Sequence, residues 1–218
     1  EPLRLLMAPS GVAKGSVAPE HLIVVDGQAQ VLMFDGAGIQ SVDPVSGAPL
    51  WQHDWPKQML ERCVQPVILG NGGIALGTTD LGTRLLNVKK KDAGWDVQAA
   101  WTNAKHRPYF YDNVQHKGFI YGFDGNRLCC VDAATGETKW QGTRYGGQVL
   151  LVPDIDALIV LSEKGKVALV KADPAAFTEL AQLDALHGRT WNHPAVSHGK
   201  LYVRNSEEMA CYELAGGK

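Results

Sequence analysis

A nine-residue pattern recurs along this chain of 218 residues at intervals of 40 to 45 residues. Its two clearest copies both read Asp-x-x-[Ser/Thr]-Gly-x-x-x-Trp, and Asn87 and Trp95 keep the same interval between them. The five copies are anchored at Asp43, Asn87, Asp132, Asp173 and Glu213, and the three that close on tryptophan do so at Trp51, Trp95 and Trp140. A period of this length is typical of solenoids and propellers, because each repeat is one supersecondary unit that buries its core against its neighbours.

The residues that recur in the pattern indicate how each repeat is built. The aspartate and the Ser/Thr-Gly pair, best seen in Asp43 with Gly47 and in Asp132 with Thr135 and Gly136, favour a tight turn. In such a turn the carboxylate accepts backbone N–H bonds and the glycine supplies a positive φ. The tryptophan that follows begins an outer strand, where a large ring covers the gap between neighbouring sheets. We therefore expect the three tryptophans to be structural.

Each repeat divides into four short strands separated by Gly, Asn and Asp, which predicts an all-β fold of four-stranded antiparallel blades. About five blades are expected, over residues 18–56, 64–102, 110–143, 147–184 and 192–214, in a single propeller domain of residues 18–218. Residues 1–17 precede them, and residues 3–7 form either the outer strand of an earlier blade or a strand that closes the fifth blade. Asp173 followed by Pro174 also allows a short helix.

Composition excludes several classes of function. The formal net charge is −2 and the pI is about 6.4, so no positive field is present to attract nucleic acid. No apolar run approaches the ~20 residues of a membrane helix, so the chain is not expected to be transmembrane. The chain begins with Glu1, which fits either a removed targeting segment or a piece of a longer protein.

The recurring Asp-x-x-Thr-Gly-x-x-x-Trp pattern resembles the PQQ-like β-propeller repeat family, which has the quinoprotein alcohol dehydrogenase fold. Residues 118–125, 188–194 and 201–205 are similar to segments of uncharacterised bacterial exported propellers in that family. The resemblance covers residues 18–214 and implies a periplasmic protein with a seven- or eight-bladed ring. We expect this chain to be a C-terminal portion of such a ring, with a closed five-bladed ring as the alternative. The missing remainder of the ring, or a second copy, then becomes an expected partner.

The resemblance also raises the alternative of a dehydrogenase that binds PQQ with calcium. Members of that group place a disulfide between adjacent cysteines at the cofactor, and Cys129 and Cys130 are adjacent here. However, successive residues of a strand point to opposite faces, and Cys130 occupies the same repeat position as Cys211. Both observations favour packing over redox chemistry. We expect no catalytic residue, no metal and no cofactor.

The connections from each outer strand to the next inner strand are the candidate binding surface, because in a propeller they open on one face around the axis. Three of these four connections combine a cation with an aromatic residue, a composition typical of binding hot spots. The candidate residues are Arg62, Arg107, Tyr109, Arg144, Tyr145, Arg189 and Trp191. The predicted function is a non-catalytic scaffold that binds a protein or a small ligand, with a purely structural spacer as a further alternative. The lipoprotein scaffold of the outer-membrane barrel assembly machinery is a precedent within the family.

Overall fold

The computed structural model describes residues 20–56 and 64–214 and shows an all-β chain of five antiparallel sheets, which confirms the predicted fold class. Within these residues the only helical turns are two 3₁₀ turns, Gly70–Gly72 and Pro153–Ile155. Residues 3–7 and Arg62 lie outside the described residues. The chain divides into two compact units, residues 1–110 and 111–218, at the start of the third predicted blade.

The first unit contains two four-stranded sheets in which each strand pairs with the next along the chain. The first sheet is β1 (Glu20–Val25), β2 (Gln28–Phe34), β3 (Gly38–Val42) and β4 (Pro49–Asp54). The second is β5 (Val67–Ile68), β6 (Gly73–Thr78), β7 (Gly82–Lys91) and β8 (Gly94–Asn103). Their facing sides form one core, in which Trp51 of the first sheet packs with Leu76 and Leu86 of the second.

The second unit contains three sheets, of which the third has three strands within the described residues. Its first sheet is β9 (Val114–His116), β10 (Phe119–Asp124), β11 (Arg127–Asp132) and β12 (Thr138–Arg144). Its second is β13 (Gly147–Val152), β14 (Ala157–Ser162), β15 (Lys166–Lys171) and β16 (Glu179–Asp184). Its third is β17 (Ala195–Ser197), β18 (Lys200–Arg204) and β19 (Met209–Glu213). Separate apolar cores fill the two interfaces between these sheets.

The two Asp-x-x-[Ser/Thr]-Gly copies form the same turn. Asp43 Oδ1 accepts the backbone N–H groups of Val45 and Ser46 at 3.0 and 2.8 Å. Asp132 Oδ1 accepts those of Ala134 and Thr135 at 2.9 and 3.0 Å. The glycine that follows, Gly47 at φ 72° and Gly136 at φ 77°, donates its N–H to the aspartate carbonyl at 2.9 and 2.8 Å. Because side chains with a Cβ rarely adopt this φ, glycine is the residue that closes the turn.

The tryptophans of these copies take one register, and the second sheet differs from the prediction. Trp51 pairs with Ser41 and Trp140 pairs with Cys130, in each case beside a bulge two residues before the aspartate. In the second sheet the residue at this position beside the bulge is Trp101, which pairs with Leu85. Asn87 keeps the register of the aspartates, but β7 continues past it to Lys91, and Trp95 pairs with Lys90 in the extended hairpin. The extra residues of the β7–β8 hairpin explain the difference. Because the hairpin continues beyond Asn87, the tryptophan at the predicted spacing, Trp95, lies in the extension, and Trp101 occupies the position beside the bulge.

The helix allowed after Asp173 is not formed. Residues 173–176 form a bend in which Asp173 Oδ1 accepts the backbone N–H of Ala175 at 2.9 Å. The Asp173 carbonyl instead accepts Trp140 Nε1–H at 2.8 Å, and the Phe177 ring packs edge-on against Trp140 with centroids 5.6 Å apart. Tertiary contacts with the tryptophan therefore outweigh the local N-cap signal.

Candidate functional site

The antiparallel strand order determines where the predicted site residues lie. In each four-stranded sheet, the turn between the second and third strands lies at the same end as the connection that leaves the fourth strand. The predicted residues belong to this end. Arg62 is outside the described residues, Arg107 and Tyr109 belong to the first unit, and the remaining four belong to the second.

In the first unit, Arg107 and Tyr109 are both exposed but make different contacts. Arg107 Nε donates to the Ala104 carbonyl at 2.8 Å, which folds the side chain back on its own loop. The Tyr109 ring lies 4.0 Å, centroid to centroid, from the ring of Phe110, which is also exposed. The structure thus presents a pair of aromatic rings where the sequence predicted one.

His106 of the same connection is a buried structural residue. Its Nδ1 lies 2.9 Å from Thr83 Oγ1, and Thr83 Oγ1 donates to the His106 carbonyl at 3.0 Å. The Thr83 hydroxyl hydrogen is thereby used, so His106 Nδ1–H is the donor to Thr83 Oγ1. Burial lowers the pKa of His106 to about 4, because the charged form would lose its hydration. His106 Nε2 is buried without a hydrogen-bond partner among the described residues.

Arg144 and Tyr145 are adjacent in the sequence but are not brought together. Arg144 is exposed at the end of β12. Tyr145 is 8% exposed and its hydroxyl donates to the carboxylate of Glu179 on β16. Burial, followed by this bond to an anionic acceptor, raises the pKa of Tyr145. Tyr145 therefore connects two sheets and is not a surface residue.

Arg189 and Trp191 do come together, in a group that also contains two residues the sequence analysis missed. The Arg189 guanidinium carbon lies 5.2 Å from the centroid of the Trp191 ring. Trp191 Nε1 donates to Glu163 Oε1 at 3.1 Å, and the same oxygen accepts the Tyr111 hydroxyl at 2.9 Å. We call Tyr111, Glu163, Arg189 and Trp191 the Trp191 cluster. Glu163 lies in the β14–β15 hairpin turn, which the sequence suggests is solvated, and only its position opposite the β16–β17 connection explains its contacts with Tyr111 and Trp191.

The backbone holds the Trp191 cluster in place. Gly146 N–H donates to the Asn126 carbonyl at 2.9 Å, and Glu163 N–H donates to the Gly146 carbonyl at 2.6 Å. Thr190 N–H then donates to the Glu163 carbonyl at 2.9 Å, between Arg189 and Trp191. Hairpin turns and connections of successive sheets are therefore joined by main-chain hydrogen bonds. Although Trp191 is 61% exposed, its indole N–H is bonded to Glu163, and the main chain of the preceding Thr190 is bonded to the same residue.

The adjacent cysteines are buried within a strand. Both are free thiols, buried on opposite faces of β11, and Cys130 packs in the core between the first two sheets of the second unit. Burial raises the pKa of Cys129, and it raises the pKa of Cys130 to about 12, so both remain protonated and unreactive. Residues 20–56 and 64–214 contain no group of three or more His, Cys, Asp or Glu side chains placed to hold a metal ion. In the same residues, no helix is long and apolar enough to cross a membrane.

Comparison with known proteins establishes the class of this fold and then its family. The sheets, turns and tryptophan register define a PQQ-like β-propeller repeat protein. A family model described as outer membrane protein assembly factor BamB matches residues 10–218, and the chain belongs to that family. Among curated proteins, none matches the chain significantly.

Solved structures show the same fold at low sequence identity. AztD from Citrobacter koseri has a TM-score of 0.59 at 16% identity over 90% of this chain and 56% of AztD. Its apo structure gives a TM-score of 0.58 at 17% identity, over 90% of this chain and 57% of AztD. BamB from Moraxella catarrhalis has a TM-score of 0.50 at 13% identity, over 90% of this chain and 71% of BamB. The chain thus spans little more than half the length of AztD.

Proposed function

We propose that this chain is part of a non-catalytic β-propeller scaffold of the periplasm that binds a protein partner through the Trp191 cluster. The observation that carries the proposal is the Trp191 ring, which is exposed yet makes directed contacts on its face and at its N–H. It lies beneath the Arg189 guanidinium and is hydrogen-bonded to Glu163.

The energetics of association favour such a group as a binding anchor. A mobile side chain loses about 0.5–1.5 kcal/mol of conformational freedom when it is ordered at an interface. Trp191 is already held by Glu163, so less of that freedom remains to be lost. Tryptophan and arginine are also the residues most enriched at interface hot spots, because they combine a large apolar area with directed hydrogen bonding.

The family supplies the class of partner. Its description names an assembly factor for outer membrane proteins. We therefore propose that the partner is a protein component of outer-membrane assembly, and that the chain reaches it as an exported protein.

Site-specific photo-crosslinking tests this proposal. A photoreactive benzoylphenylalanine replaces Asn192, the neighbour of Trp191, in the protein expressed in a bacterial periplasm, and the crosslinked protein is identified by mass spectrometry. The matched control places the same group at Leu180, which is 54% exposed on the outer strand β16 of the same unit. We expect an adduct with an outer-membrane assembly component from position 192 and none from position 180.

Variants of the Trp191 cluster then distinguish a binding scaffold from a purely structural spacer. In the protein that carries the photoreactive group at position 192, Arg189→Ala and Glu163→Gln should each reduce the adduct. Equal labelling from positions 192 and 180, or no adduct from either, would favour the spacer alternative and overturn the proposal.

We further propose that the function needs no quinone and no calcium, since the adjacent thiols are buried in a strand. Addition of PQQ and calcium to the purified chain should give no alcohol-dependent dye reduction. Saturable reduction that is lost on Arg144→Ala would instead support the dehydrogenase alternative.

A further inference from the structure

A second candidate binding point lies in the first unit, at Arg84. This residue is on β7, on the face that packs against the first sheet, in the same row as the buried Leu86 and Val88. Its guanidinium carbon lies 4.4 Å from the centroid of the Trp55 ring. Arg84 therefore caps one end of the core between the two sheets.

The other contacts of Arg84 are also with neutral groups. Its Nε donates to Thr102 Oγ1 at 3.0 Å, and its Nη1 lies 3.1 Å from His53 Nε2. Because arginine has no acceptor, His53 Nε2 must accept this hydrogen bond, so the imidazole is neutral. Burial and the Arg84 charge both lower the pKa of His53, which agrees with that assignment.

The Arg84 charge is not neutralised within the described parts of the chain. Its guanidinium has no carboxylate at ion-pairing distance there, and partial burial lowers its pKa. A guanidinium has five N–H donors, and the contacts with Thr102 and His53 use two of them. A partly buried cation without a counter-ion is unfavourable, and the remaining donors match the planar fork of a carboxylate.

We propose that Arg84, seated among Trp55, His53 and Thr102, binds one carboxylate group. The stacked ring and the two neutral hydrogen-bond partners hold the guanidinium plane, so the carboxylate meets a preorganised partner. The site lies outside the Trp191 cluster and does not depend on the function proposed for it.

The charges near Arg84 restrict the class of ligand that would bind there. His53 also lines a polar cleft of about 150 Å³, together with Asp35, Gln40, Gln52 and Asp54. Asp35 and Asp54 repel negative charge, so the repulsion grows with each anionic group on the ligand, whereas the single Arg84 charge attracts only one carboxylate closely. A single carboxylate beside a cationic or uncharged polar group therefore fits better than a polyanion.

NMR titration of the full chain tests the proposal by following the arginine guanidinium and His53 imidazole signals. The probes are acetate, the peptide acetyl-Gly-Glu-Lys-Gly-amide, and the matched peptide with Gln in place of Glu. We expect a saturable shift of the Arg84 and His53 signals with the Glu peptide and none with the Gln peptide. A saturable shift with acetate that is as tight as that with the peptide would identify free small carboxylates as the ligand class, and tighter peptide binding would identify a protein segment.

Three variants decide whether Arg84 binds a carboxylate or only packs against Trp55. Arg84→Lys keeps the charge but loses the fork, so affinity should fall by about fivefold or more. Arg84→Met keeps most of the packing and should abolish binding, whereas Arg127→Met, at an arginine bonded to the Gly142 carbonyl, should leave binding unchanged. If Arg84→Met does not fold, the wild-type titration and Arg84→Lys still give the answer. Equal shifts with the Glu and Gln peptides, or no shift with either carboxylate, would show a packing function alone and overturn the proposal.

Discussion

The first and third sheets of the second unit place the same two residue types in the same register but in different surroundings. Cys130 pairs with Tyr121, and Cys211 pairs with Tyr202. Cys130 and Tyr121 are both within 1% of complete burial, because the next sheet covers their face. Cys211 is exposed and Tyr202 is 36% exposed, and no further sheet follows β19 in the described residues. The comparison teaches that the neighbouring sheet, and not the strand itself, determines what a repeat position does.

Thiol alkylation should show the largest contrast. Burial raises the pKa of Cys130 to about 12 from an ordinary 9.0. At pH 8 its thiolate fraction is therefore about a thousandfold lower than that of an ordinary exposed thiol. With Cys63 replaced by Ser in all samples, iodoacetamide should label Cys211 quickly and label Cys129 and Cys130 only in urea. Mass spectrometry gives the three rates, and similar rates in the native protein would contradict the comparison.

Truncation of the paired tyrosines should give the next largest contrast. Tyr121→Ala leaves a cavity beside Trp140 and should lower the free energy of unfolding by about 3–5 kcal/mol. Tyr202→Ala removes a partly exposed ring and should cost about 1 kcal/mol or less. Urea unfolding followed by tryptophan fluorescence measures both, and equal costs would mean that the open face is covered in solution.

The same contrast applies to histidines in covered and open positions. His106 is buried with a folded pKa of about 4, whereas an unfolded chain binds the proton at about 6.5. Its stabilising contribution is therefore complete above pH 6.5 and is lost as the pH falls towards 4, at a cost of roughly 3 kcal/mol. His106→Gln should flatten this part of the stability profile, and His187→Gln, at a fully exposed side chain, should not. Thermal unfolding between pH 7 and pH 4 measures the difference.

The smallest effect is expected where two repeat positions have the same surroundings. Hydrogen bonds from Ser46 and Val45 lower the pKa of Asp43 below its ordinary 3.8. The contribution of Asp43 to the free energy of unfolding is therefore present above about pH 4, the pKa range of the unfolded chain, and is lost as the pH falls through the lower pKa of the folded protein. Asp43→Asn should cause a small fall in the midpoint of unfolding at pH 7 that disappears in acid, and Asp132→Asn should cause a similarly small fall at pH 7. A large fall in only one of them would show that the two turns are not equivalent.

The sequence was sufficient to predict the all-β fold, because the turn chemistry of Asp43 and Asp132 is local and repeats at a fixed interval. It was misleading where an insertion lengthened the β7–β8 hairpin, since the spacing selected Trp95 and the strand register selects Trp101. The helix after Asp173 failed for a related reason, because the competing contact comes from Trp140, 33 residues away.

The candidate site was harder to predict than the fold. Sequence places Arg189 and Trp191 in a connection, but the contacts of Tyr111 and Glu163 with the cluster depend on how neighbouring sheets pack. Nothing in the sequence singled out Arg84 as a candidate site residue, because a single arginine within a strand is typical of an ordinary surface position. Only the structure shows that Trp55, His53 and Thr102 surround its guanidinium.

Main-chain hydrogen bonds join the loops at one end of the second unit, from Asn126 through Gly146 and Glu163 to Thr190. The first unit repeats part of this arrangement, where Trp55 N–H donates to the Ala37 carbonyl at 2.9 Å. Bonds of this kind do not depend on which side chains the loops carry. Substitution of the loop side chains is therefore compatible with unchanged loop positions, since the main-chain bonds remain.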